Sequence, residues 1–169
     1  MKEFLVIDGY NIIYAWPEFE KLKFDLDHAR SKLVSILVNY SPLSGQKVLV
    51  VFDAHQVKNS PERTEVVDGV EIIYTQQGET ADSLIERLVG RLLNEGTVYV
   101  ATSDWAEQEI IFGKGAYRLT PHELRTQVGR VKREAEGLYT QTSPVDGYLE
   151  NRLIDRVRSK LEKWRRQKK

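Results

Sequence analysis

Four aspartates stand where apolar runs stop. Asp8 follows Phe4-Leu5-Val6-Ile7, Asp53 follows Val48-Leu49-Val50-Val51-Phe52, Asp82 opens a helical pattern behind Val70-Glu71-Ile72-Ile73-Tyr74, and Asp104 follows Thr97-Val98-Tyr99-Val100-Ala101. If the runs are parallel strands, all four carboxylates project to one edge of a sheet, where open α/β sheets bind their ligands. Carboxylates so crowded repel, and a divalent cation relieves the conflict. All-oxygen ligation suits Mg²⁺ or Mn²⁺, which keep several waters and accept a substrate phosphate. Such an ion lowers the pKa of a water and stabilises charge on a reacting phosphoryl group, so the chemistry implied is metal-assisted phosphodiester hydrolysis. Each acid also has a structural reading: Asp8 before Gly9 as a turn residue, Asp82 and Asp104 as helix starters.

Neutral neighbours could support the acids. Asn11 lies one turn past Asp8 and could orient a carboxylate or the substrate. Thr80 and Ser103 precede Asp82 and Asp104, with capping the better reading for Thr80. Glu86, one turn after Asp82, and Glu107, three residues after Asp104, could each be an outer metal ligand, but the preferred reading makes them solvent-facing helical acids. Trp105 could stack a base, but the preferred reading packs it against a neighbouring helix.

The elements that must position these residues follow from periodicity. Short β-branched runs bounded by Asp, Gly and Ser read as strands buried on both faces. Ile12 to Pro17 reads as an apolar loop. A helix starts near Asp25 or Asp27, carries Leu26, Ala29, Leu33, Ile36, Leu37 and Tyr40, and ends at Ser41-Pro42. A second carries Leu84, Ile85, Leu88, Leu92 and Leu93 and closes at Asn94-Glu95-Gly96 in the manner of a glycine C-cap. Asp104 with Glu107 has capping-box spacing, and Thr120-Pro121-His122-Glu123 is a strong helix start. Asp68-Gly69 could turn a short hairpin. Strands alternating with helices predict an α/β fold, a Rossmann-like parallel sheet with helices on both faces. The predicted division is a body over 1–136, a linker over 137–147 and a basic amphipathic C-terminal helix over 148–169.

Composition narrows the chemistry. The 169 residues include no cysteine, which removes disulfides, thiolate metal sites and cysteine nucleophiles, and the three histidines, His28, His55 and His122, lack metal-ligand spacing. No phosphate-binding G-x-x-x-x-G-K-[ST] loop, G-x-S-x-G elbow or H-E-x-x-H helix is present, and no D-x-D follows the first strand. No small-molecule cofactor is expected. The chain enters its first strand at once and has no membrane-length apolar run, so the expectation is a soluble cytoplasmic protein without a membrane partner. Net charge is zero, yet residues 151–169 hold nine Lys or Arg against two acids, leaving the body acidic and the tail basic. That asymmetry points to a polyanionic partner.

Asp8-Gly9-Tyr10-Asn11 after the first strand, Glu79-Thr80-Ala81-Asp82 opening a middle helix and Ala101-Thr102-Ser103-Asp104 closing a later strand together resemble the YacP group of NYN-domain proteins, within the PIN-like nuclease superfamily. Val51-Phe52-Asp53-Ala54-His55 and Ile111-Phe112-Gly113-Lys114-Gly115-Ala116 are similar too, and the likeness covers roughly residues 3 to 135. It implies a PIN-like fold, a metal-dependent acidic site and endoribonuclease activity on single-stranded mRNA. It further implies association with the ribosome and cleavage in the decoding (A) site. Asp8, Asp82 and Asp104 match the group's acidic positions and Asn11 its polar helper. An acidic site cannot attract RNA unaided, so binding is expected from Arg125, Arg130, Lys132 and Arg133 and from Arg165 and Arg166 in the tail. Other readings left open are a non-catalytic RNA- or ribosome-binding adaptor and a structure-specific DNA nuclease.

Overall fold

β1 (Lys2–Asp8) lies inside the sheet because every residue from Phe4 to Asp8 is buried, leaving no face for water. The computed structural model describes residues 1–54 and 63–140. After β1 come α1 (Gly9–Ala15), a 3₁₀ segment (Pro17–Leu22), α2 (Leu26–Ser44), β2 (Lys47–Phe52), β3 (Arg63–Val67) and β4 (Val70–Tyr74). α3 (Ala81–Leu92), β5 (Gly96–Ala101), α4 (Trp105–Gly113), β6 (Tyr117–Leu119) and α5 (Pro121–Thr140) complete the order. The six-stranded sheet runs β3-β4-β2-β1-β5-β6, parallel except for β3, which pairs antiparallel with β4. The strand order therefore reverses beside β1: the chain builds outward through β2 and β4, then returns to β5 on the other flank. Such a switch point opens a crevice at the carboxyl ends of the strands.

Alternation along the strands sorts two cores. Leu5, Ile7, Val48, Val50 and Phe52 face α1, α2 and α5, where Ile12, Ile13, Leu33, Leu37 and Leu124 bury. Phe4, Val6, Leu49, Val51, Val98 and Val100 face α3 and α4, against Leu84, Ile85, Leu88, Val89 and Ile111. Each fully buried large aliphatic side chain contributes about 1.5–3 kcal/mol, so both faces hold the sheet strongly. Asp8 shares the parity of Phe4 and Val6. Its carboxylate accordingly leaves the strand on the α3/α4 side.

Several predicted boundaries shift, each for a local reason. Ile12 to Ala15 is helix rather than loop, because Asp8 caps α1 directly, its Oδ1 accepting from Asn11 N at 3.4 Å. α2 runs through Pro42 to Ser44 and stops at Gly45 in the left-handed region (φ 74°). Gly96 is not a cap but the first residue of β5, where a Cβ would strike the Lys2 carbonyl. The Asp68-Gly69 turn forms the hairpin, with φ 46° and 91° as a type I′ turn requires, and adds β3 to the sheet as its antiparallel edge. α5 continues past Gly137 to Thr140, into the stretch read as linker, since a single glycine costs only about 1 kcal/mol in a helix. The rest of that linker and the C-terminal helix lie outside the described residues. Among the described residues, no helix is long and apolar enough to cross a membrane.

Candidate metal centre

Three elements that meet at the switch point each deliver one carboxylate. Asp8 ends β1, Asp82 stands in the first turn of α3, and Glu107 stands in the first turn of α4. One oxygen from each lies within 4.8 Å of the other two. Asp8 and Glu107 are buried, 4% and 5% exposed, whereas Asp82 faces solvent. The group is thus open on one side and dry on the other.

Local chemistry fixes each member. Thr80 caps α3, its Oγ1 accepting from Ser83 N at 3.2 Å, which places Asp82 in the first turn. Asp104 caps α4, its Oδ1 accepting from Glu107 N at 3.1 Å. In a capping box Glu107 would reach back to the cap, but its side chain turns inward, where Thr102 Oγ1 donates to its Oε2 at 2.8 Å. Thr102 is itself held: Gln108 Nε2 donates to its carbonyl at 2.6 Å, and Asp104 N donates to its hydroxyl at 3.1 Å. Asn11 ties the two sides together. Its amide Oδ1 accepts from both N and Oγ of Ser103, while its backbone N–H donates to Asp8 Oδ1.

The electrostatics follow from burial. Burial pushes the Asp8 carboxyl up to about 6; hydrogen bonds from Asn11 oppose this, and the Asp82 and Asp53 charges add to it. Burial pushes Glu107 up to about 8, against the Thr102 hydroxyl and reinforced by Asp82 and Asp8. Near neutral pH the group therefore keeps a proton. Glu107 Oε1 is buried with no protein N–H or O–H partner among the described residues, and the nearby Asp82 carboxylate is itself an acceptor unless a proton lies between them. A buried acceptor so placed fits a cation, as does an all-oxygen donor set.

The predicted site residues separate on this geometry. Asp8 and Asp82 come together, and Asn11 joins them. Asp104 does not enter the group: it stays exposed at the cap, one turn before the glutamate that does enter. Asp53 is half-buried and acts on Asp8 through its charge, outside the group of three. Glu107, read as solvent-facing, is buried. Its signal was the spacing to Ile111 on the inward face of α4, which places position 107 on the core side of the helix. Glu86 is an exposed helical acid, 3.2 Å from Lys114. Trp105 does not pack inward; it is 68% exposed.

Arg125, Arg130, Lys132 and Arg133 lie on α5, across the sheet from the acids. Arg125 Nε is 2.7 Å from Glu18, and Arg130 lies 3.9 Å from Glu134. Arg130 stands about 14 Å along α5 from its first residue. Arg165 and Arg166 lie outside the described residues.

The open, mostly parallel sheet with acids gathered at its switch point is of the PIN-like kind, as its match to the solved structures below shows. The chain belongs to the YacP-like NYN domain family, whose model matches residues 5–166. It is 39% identical to the YacP protein of Bacillus subtilis (strain 168) over 97% of each chain. The crystal structure of Rae1 (YacP) from Bacillus subtilis superposes with a TM-score of 0.72 at 39% identity, covering 96% of this chain and 94% of that one. Its W164L mutant gives 0.76 at 36% identity, over 91% of each. The NYN domain is a nuclease family, and membership carries a nuclease-type function.

Proposed function

We propose that the protein is a divalent-metal-dependent endoribonuclease that cuts single-stranded mRNA, in the ribosomal A site, with Asp8, Asp82 and Glu107 holding Mg²⁺ or Mn²⁺. The observation that carries this reading is the approach of these carboxylates to within 4.8 Å, two of them buried, at the switch point of the sheet. When bound, the ion would activate water and neutralise charge building on the scissile phosphate. The chain's own residues set the stage. Thr102 occupies one oxygen of Glu107 and leaves the other facing the group. Asn11 couples Asp8 to the Ser103 loop, so that β1 and the β5–α4 connection keep one relative position. Asp104 is a positioning residue that aims Glu107 by capping α4. Cations away from the acids, on α5 and in the basic tail, would supply the attraction that RNA requires.

The test is mapping of new 5′ ends in ribosome-bound mRNA, with matched free RNA and DNA oligonucleotides alongside. Cuts that EDTA stops and that Asp82→Asn abolishes support the reading. Cleavage of DNA alone would make the protein a DNA nuclease. Ribosome binding without cuts in any substrate would make it an adaptor.

A further inference from the structure

α4 carries a feature that the acidic group does not use. Trp105 and Phe112, seven residues apart and hence on one face of the helix, are 68% and 65% exposed. Folding normally hides such rings, and a paired exposure marks a binding surface. Between them lies a cation: the Arg118 guanidinium, from β6, sits 5.4 Å from the Trp105 ring centre and 5.3 Å from that of Phe112. Glu109, 3.6 Å from Arg118, helps hold it there. Tyr117, its neighbour in β6, turns the other way and stacks on Tyr99 at 5.1 Å.

The stripe begins at the end of α4 that carries the site's third acid. Trp105 follows the capping Asp104 in the first turn and points outward, about 200° around the helix from the buried Glu107, so the row runs down the outside of α4 from that end. Seven residues of helix span about 10 Å, the axial reach of about three nucleotides. Rings with an arginine between them suit bases, every one of which has a π-face, and the guanidinium can also meet phosphate. A second copy of the chain would need far more covered area than two rings and one arginine offer.

We infer that Trp105, Arg118 and Phe112 form a stacking platform for the bases of the RNA strand that enters the acidic site. The inference rests on the nuclease reading above, and its test is a binding measurement that does not depend on cleavage. Anisotropy of a labelled single-stranded octa-adenylate is followed with the full-length Asp82→Asn protein in EDTA. A matched abasic ribose-phosphate octamer of equal charge serves as control. Adding Trp105→Ala should weaken the base-bearing strand about 5- to 150-fold and leave the abasic strand unaffected, and Trp105→Phe should retain most of the affinity. Phe112→Ala should act in the same direction.

Equal affinity for the octa-adenylate with and without Trp105 would overturn the platform, as would equal losses on both strands. If Trp105→Ala spared RNA affinity but abolished co-sedimentation with ribosomes, the face would belong to a protein contact and the inference would fall. Stacking on an RNA that the wild-type protein never cuts would leave the platform standing and remove the nuclease reading.

Discussion

Replacing Glu107 with glutamine keeps the side chain's shape and removes its titration. In the folded protein burial pushes this carboxyl from the usual 4.5 up to about 8. The folded state therefore keeps a proton that the unfolded chain has released. By linkage, stability fully present below pH 4.5 is lost as pH rises through about 8 and is flat beyond. The slope approaches 1.4 kcal/mol per pH unit, giving a loss on the order of 3–5 kcal/mol across that window for the metal-free protein. Asp8, pushed up to about 6, adds to the slope at its acidic end. Glu107→Gln should abolish most of the slope, so the variant is more stable than wild type at pH 9 and close to it at pH 4. Urea unfolding in EDTA at pH 4, 6, 7.5 and 9 reads this directly. A variant destabilised equally at every pH, or a wild-type protein indifferent to pH, would refute the reasoning.

Divalent metal must compete with the same protons, so Mn²⁺ affinity should rise with pH up to about 8 and level off, with protons released on binding, as calorimetry in buffers of different ionisation enthalpy would detect. Asn11→Ala removes the link between Asp8 and Ser103 and should weaken Mn²⁺ binding about 10- to 100-fold, the range of lost ligand-orienting contacts, while circular dichroism stays unchanged. Thr102→Val strips the hydrogen bond from Glu107 Oε2 and unpairs the Asp104 N–H. It should cost about 1–3 kcal/mol in urea unfolding and raise the pH at which metal binding begins. A shift of that onset to lower pH would contradict the role given to the hydroxyl.

The sheet was legible because its signal is local. Apolar runs such as Val48 to Phe52 stop at polar residues, and the parallel arrangement follows from alternation with helices. Asp8 and Asp82 were legible for the same reason, as each sits at a boundary that sequence can mark. Glu107 was ranked as a surface acid rather than a ligand because capping-box spacing has a surface explanation, and only its alignment with Ile111 opposes it. Asp104 shows the reverse: it stands at a strand end and caps a helix as Asp8 does, yet its carboxylate lies outside the group of three, a difference that spacing alone does not reveal. α1 was read as a loop because seven residues are too few to show periodicity, although Asp8 starts the helix with the carboxylate that also serves the site. Trp105 could not be placed from sequence, since the face a short helix turns to solvent depends on what packs behind it.

The central claim, that the cation site is built by Asp8, Asp82 and Glu107 with Asp104 outside it, is tested most directly by titrating Mn²⁺ into wild type, Glu107→Gln and Asp104→Asn and following electron paramagnetic resonance of the free ion. The account predicts that Glu107→Gln loses most of the affinity, whereas Asp104→Asn, which can still cap α4, binds nearly as wild type does. Undiminished binding by Glu107→Gln together with loss in Asp104→Asn would contradict it.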